Sequence, residues 1–393
     1  MRQVYLDNSS ATSLHPKVAE LMASLLKESL ANPSSLHGPG RRAKEVLEEA
    51  RGRVAGLVGA EPEEIVFTSS GTEANNLAIK GMAMAYKDKG RHIITSDIEH
   101  FSVLNPLTRL EKMGFSVTKV PVDSKGIVDP ADVERAVTPE TIFASIMLAN
   151  GEVGTIEPIK DIAGVLKKKK VILHTDAIAA AGNIPVDVNE LGVSAMSLSA
   201  NQFHGPSGAG VLFVRNGVRV RPQIDGGVQE GGRRAGTEDL LAIAGMGKAA
   251  ELAAKEMPER SNKLRSLRDA LRDRLTKDVD FIHLTGHPTQ RLPGSLSLCV
   301  EFVEGESVLL FLDMQGVAVT SGSACTSKAL KASHVLLAMG VDAAVAQGSL
   351  HFSLGMNTTK EDVDYVAKVM PPIVDRLRQM SPLYEKVGKE VKA

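Results

Sequence analysis

The run Ser321-Gly322-Ser323-Ala324-Cys325-Thr326-Ser327 mounts one of only two cysteines in the 393-residue chain among small residues. Side chains this small place few steric limits on a loop, so a thiol set among them can change position. Cys325 is open to two readings. It is either a small buried side chain, the commoner fate of a lone cysteine, or a thiolate acting as nucleophile or ligand. Cys299, within the alternating Ser295-Leu296-Ser297-Leu298-Cys299-Val300-Glu301-Phe302, has a strand setting and reads as core. A second chemical stretch is Phe67-Thr68-Ser69-Ser70-Gly71-Thr72-Glu73-Ala74-Asn75-Asn76, a strand passing through a Ser/Gly turn into a helix. Backbone N–H groups at such a start, with the Thr72 hydroxyl beside Gly71, suit a phosphate. Plain N-capping by Ser70 or Thr72 is the alternative. The polar cluster from Gly226 to Thr237 could donate to the same anion, but it lacks the lysine of a nucleotide-binding loop. Asp176 follows the apolar Val171-Ile172-Leu173, at a strand's carboxyl end where α/β sheets hold ligands; a capping role competes with ligand contact. His100 closes the loop Ser96-Asp97-Ile98-Glu99-His100, placed either to stack on a flat ring or to hydrogen-bond within its loop. Neither an H-E-x-x-H pattern nor paired cysteines point to zinc.

Alternating strands and helices position these groups. Val4-Tyr5-Leu6 is strand-like, His15 to Ser29 predicts a helix with Pro16 in its first turn, and Gly40 to Val58 a long amphipathic helix. From Ile65 to about Gly210, strands are expected at 65–67, 92–94, 117–120, 142–147, 171–173 and 195–198, with another at 210–214. Alternation of this kind predicts an α/β fold with a mainly parallel sheet covered by helices on both faces. A helix from Glu238 to Glu256 and a second from Glu259 to Leu275 lead into a smaller α+β part, with strands at 280–284 and 295–302, helices over 305–312 and 333–339, and further helices from Lys360. The expected division is a large domain over 15–257 and a small one formed by 1–14 and 258–393, the latter carrying the Cys325 loop.

The composition excludes several classes. A formal net charge of -1 gives no electrostatic reason for nucleic acid as partner. No apolar run approaches the roughly 20 residues that span a bilayer, and the start of the chain lacks the apolar segment of a signal peptide. Two distant cysteines argue against a disulfide framework and for the reducing cytoplasm. Lys167 to Lys170 reads as a solvated helix end.

Several stretches together resemble the cysteine desulfurases, the class V branch of the fold-type I pyridoxal-phosphate (PLP) enzymes. They are Tyr5-Leu6-Asp7-Asn8 with Ala11-Thr12, Asn32-Pro33-Ser34-Ser35, 68–76, Glu99-His100, Glu152-Val153-Gly154-Thr155, Asp176-Ala177, Arg234-Ala235-Gly236-Thr237 and 321–325. The resemblance implies a homodimer and an iron–sulfur scaffold partner. It assigns the PLP phosphate to Gly71, Thr72, Ser199 and, from the second subunit, Thr237. His100 would stack on the pyridine ring, and Asp176 would pair with its nitrogen. Cys325 would take sulfur from substrate cysteine as a persulfide and pass it on.

The chain departs from the family pattern where the chemistry would occur. The family's Ser-x-His-Lys reads Ser199-Ala200-Asn201-Gln202 here, leaving Asn201 beside the cofactor and no amine to bond it. Gly151 replaces an Asn, Ala179 a Gln, and His351 and Gly231 each an Arg. The expectation is therefore a desulfurase-like component of iron–sulfur cluster assembly. In it Cys325 accepts sulfur or ligates a nascent cluster, and PLP is held without a covalent bond or is absent. An active PLP-dependent desulfurase and a docking module without catalysis are the alternatives.

Overall fold

The structure, a computed structural model, describes residues 2–322, 332–382 and 384. After the two-residue strand β1 (Val4–Tyr5), helix α1 (Pro16–Leu25) starts on its proline, with the His15 imidazole accepting the Lys17 N–H. Helix α2 (Gly38–Val58) is closed by Gly59, whose φ of 67° is the left-handed conformation that glycine supplies without steric cost. The following strands and helices alternate as β2 (Ile65–Thr68), α3 (Gly71–Tyr86), β3 (His92–Ser96), α4 (Phe101–Glu111), β4 (Ser116–Val120), α5 (Pro130–Ala136), β5 (Thr141–Ser145), α6 (Ile159–Lys168), β6 (Ile172–Asp176), α7 (Val188–Leu191), β7 (Ala195–Ser199) and β8 (Gly210–Val214).

Among the described residues these strands form one sheet in the order β2-β8-β7-β6-β5-β3-β4. It is parallel except at β8, which runs antiparallel to both β2 and β7. Strands β2, β3, β7 and β8 are buried at every position, as in a sheet covered on both faces, and β3 carries buried polar groups that are hydrogen-bonded, Thr95 to the Ser145 carbonyl at 2.9 Å and Ser96 to Glu99 at 2.6 Å. The sheet is thus the α/β sheet that the alternation predicts. The carboxyl ends of β2, β6 and β7 carry Ser70, Asp176 and Ser199 to one edge.

Past β8 comes α8 (Leu240–Asp278), then β9 (Ile282–Thr285), β10 (Ser295–Val300), α9 (Gly305–Asp313), β11 (Val317–Ala318), α10 (His334–Ala338), α11 (Ala343–Ala346), β12 (Ser349–Ser353) and α12 (Lys360–Gln379). Strands β12-β10-β9 form an antiparallel sheet, and β1 pairs in parallel with β11. The two helices expected over 238–256 and 259–275 are one: α8 runs through Pro258 without ending. A proline lacks the N–H that would bond four residues back, but the flanking turns are held from outside. Arg260 donates to the Gly182 carbonyl at 2.7 Å and Ser261 to the Asn183 carbonyl at 2.8 Å. On either side, α8 buries apolar residues in different cores, Ala242 to Ala253 with the large sheet and Leu264, Leu271 and Leu275 with the small one. On this distribution we propose a division near residue 257, with the first 14 residues joining the C-terminal part.

Cys299 is buried on β10, as its strand setting predicts, and burial pushes its thiol up to about 12. No helix among the described residues is long and apolar enough to cross a membrane.

Candidate functional site

Asp176 is the last residue of β6 (Ile172–Asp176), which runs past the end of the expected 171–173 strand. Its carboxyl is buried; one oxygen accepts the Ile178 N–H at 2.9 Å and the other the Asn75 amide at 2.6 Å. Burial raises its pKa, while those hydrogen bonds and the nearby His100 pull it down. An enclosed carboxyl of this kind suits a cationic N–H partner. Asn75 also donates to the Ser102 hydroxyl at 2.8 Å, and Ser102 lies 2.7 Å from His100 Nδ1. His100, Ser102, Asn75 and Asp176 are thereby one chain of contacts, in which the Asn75 carbonyl oxygen is buried without a partner. His100 caps α4, accepting the Ser102 N–H, which realises the reading of a residue hydrogen-bonded within its own loop.

Ser70 caps α3, accepting the Glu73 N–H, which realises the capping alternative. Gly71 opens α3 so close to β7 that an added Cβ would overlap Ile178 and lie 3.1 Å from Ser199 Cβ. Thr72 and His100 line a cavity of about 430 Å³ together with Asn76, Lys80, Ser102 and Arg109. Lys80 and Arg109 are missed by motif reasoning. Their only sequence signal is that Thr72, Asn76 and Lys80 are spaced four apart and so share a helix face. Burial and the Arg109 charge lower the Lys80 pKa.

Past β7, Ser199 donates to the Asn201 side chain at 2.6 Å, and residues 200–202 form a single tight turn. Gln202 donates its amide to the Ser9 carbonyl at 2.7 Å. Gly151 and Ala179, remote in sequence, face each other, a Cβ at Gly151 standing 3.7 Å from that of Ala179. His351, on β12, is buried between the Ser9 hydroxyl at 3.3 Å and the Ser295 hydroxyl at 3.1 Å. Burial and the charge of Arg291 push it down to about 3, so it is neutral and offers no positive charge to a carboxylate. In the single chain Thr237 is exposed, and the neighbouring Arg234 pairs with Glu73 at 2.9 Å. Cys325 lies outside the described residues; Ser321 and Gly322, which precede it, lie within them. No group of three or more potential metal ligands gathers among the described residues.

The class-V aminotransferase family profile matches residues 4–366. The chain belongs to the cysteine desulfurase branch of that family. It is 48% identical to the cysteine desulfurase IscS of Dictyoglomus turgidum over 381 residues, 97% of both chains. It is 45% identical to cysteine desulfurase IscS 1 of Archaeoglobus fulgidus, covering 97% of this chain and all of that one. A solved NifS-like protein superposes with a TM-score of 0.90 at 38% identity, over 95% of this chain and all of the other. Membership implies PLP. At the ring and phosphate end the residues fit it: Asp176 is buried and able to pair with a ring nitrogen, the Asn75 oxygen lacks a partner, and two cations line the cavity beside the start of α3.

Proposed function

We propose that this member of the cysteine desulfurase family works in iron–sulfur cluster assembly through Cys325, which accepts sulfur or ligates a nascent cluster on a scaffold protein, with no cofactor bonded at residue 202. The observation that carries this reading is Gln202. Its carboxamide cannot condense with an aldehyde or move a proton at a substrate carbon, and its N–H is already engaged by Ser9. PLP, when bound, supplies an electron sink. Asp176 would hold its ring nitrogen, His100 would stack on the ring, and Gly71, Thr72, Ser199 and Asn201 would surround the phosphate end, with Thr237 supplied by the second subunit of a homodimer. Neutral His351 and the small Gly151 and Ala179 leave substrate orientation weak, and orientation can hold several kcal/mol of a barrier.

The names of the relatives weigh more directly for a second reading, an active desulfurase that takes sulfur from L-cysteine onto Cys325. One experiment separates the two. The purified protein is mixed with PLP, its spectrum recorded, and the mixture reduced with borohydride before peptide mapping; sulfide release from cysteine is assayed alongside. Our reading expects no visible band of a lysine-bound cofactor, no PLP fixed to the chain and no sulfide above the rate of free PLP. A labelled lysine with rapid turnover would establish the second reading in its place.

A further inference from the structure

Ser9 touches both Gln202 and His351, two of the positions at which the sequence departs from the pattern it resembles. Its carbonyl accepts from Gln202, which follows the large sheet's β7, at 2.7 Å. Its hydroxyl lies 3.3 Å from His351 Nδ1 on the small sheet's β12. The same residue is held in place by the small sheet, its N–H donating to the Ser353 hydroxyl at 2.8 Å. Beyond His351 the contacts continue to Ser295 on β10 at 3.1 Å. Thus Gln202, Ser9, His351 and Ser295 form an unbroken neutral bridge between the ends of two sheets, made by a segment that belongs to neither. A serine beside a histidine also raises the question of a nucleophile and its base. His351 meets a hydroxyl at each ring nitrogen, Ser9 on Nδ1 and Ser295 on Nε2, and no carboxylate orients the ring as in a catalytic triad, so the pair is a fastening rather than a dyad.

We propose that Ser9 is a positioning residue that couples residue 202 to residue 351. The Gln202 amide fixes the Ser9 backbone, the fixed backbone aims the Ser9 hydroxyl at His351, and that contact selects which ring nitrogen of His351 carries the proton. The two positions then behave as one unit, and a change at either is felt at the other across the sheet boundary. The coupling needs neither cofactor nor sulfur, so it stands or falls separately from the assembly role.

The test compares Gln202→Ala, His351→Asn and the double variant, each with Ser9 and with Ser9→Ala, by thermal unfolding. With the serine present, the two Tm shifts should be non-additive by several degrees. In Ser9→Ala, which keeps the carbonyl but removes the hydroxyl, they should add, and Ser9→Thr should restore the non-additivity. Because His351→Asn is a buried change that can unfold the chain, a second measurement leaves the histidine intact. The ¹⁵N shifts of the His351 ring, which report its tautomer, should move in Gln202→Ala and should not respond to that change once Ser9 is alanine. Additive shifts in every background, or His351 signals indifferent to residue 202, would overturn the proposal.

Discussion

Glu152 lies in the loop after β5 with its carboxyl enclosed, one oxygen having no hydrogen-bond partner among the described residues, and it accepts a hydrogen bond from Ser333. Burial raises it from an ordinary 4.5 to about 7, and it raises Glu99 and Glu157, which also hold orphaned oxygens, to about 8. These acids bind protons more tightly folded than unfolded, so their contribution is complete below 4.5 and is lost as pH climbs through about 7 to 8. His351 has the opposite slope. Its contribution is complete above 6.5 and is lost as pH falls towards about 3. Glu99→Gln, which mimics the protonated acid, should therefore gain on the wild type between pH 5 and pH 8, by roughly 3 kcal/mol in urea unfolding at the two pH values. A variant whose deficit is equal at both would show that Glu99 is ionised in the folded protein. At the chemical end, Gln202→Lys alone should release sulfide from cysteine no faster than free PLP. Full turnover from that single change would mean that Gly151, Ala179 and His351 matter less than their positions imply. Much of this end was legible beforehand, because Gly71, Asp176 and His100 sit in local patterns that a strand or helix terminus dictates. Arg109 and the partners of Gln202 were not, because tertiary packing alone brings them there, and Lys80 shows only the helical spacing it shares with Thr72 and Asn76.

Helix α8 shows where the reading of elements succeeds and where it stops. The sheet strands were legible because short apolar runs such as Ile65-Val66-Phe67, Ile93-Ile94 and Val211-Leu212-Phe213 stand between helical stretches, a pattern that needs no knowledge of what covers them. A helix end is a local inference, and Pro258 is a local breaker. What keeps α8 whole is Arg260 and Ser261 reaching residues nearly 80 positions away, which no local pattern announces. Pro258→Ala would return an N–H to the helix and should raise stability by up to about 3 kcal/mol, read as a higher Tm. No rise would mean that the surroundings already compensate for the lost bond. Gly247 gives the reverse case. It lets α8 pass against α2 so closely that a Cβ there would stand 2.6 Å from Ala50 Cα. Gly247→Ala should cost about 1 to 3 kcal/mol despite alanine's better helix propensity. A gain in stability would show that the two helices can separate without loss.

At the scale of the whole molecule, two apolar cores share one uninterrupted helix and are fastened again by the N-terminal segment. Asn8 donates to the Ser353 carbonyl at 2.8 Å, while Thr12 donates to that of Asn201 at the same distance. Calorimetry should consequently record a single unfolding transition. Two resolved peaks would mean that the cores melt independently and that α8 breaks at Pro258 first. The proline also has a mechanical meaning. Twenty residues separate Pro258 from the end of α8, about 30 Å at 1.5 Å per residue, and a bend of about 5° at that point swings the far end by roughly 2.6 Å. Arg260 and Ser261 tie the turn after Pro258 to the carbonyls of Gly182 and Asn183, so a bend of that arm would act first on these two contacts, in the loop that follows Asp176.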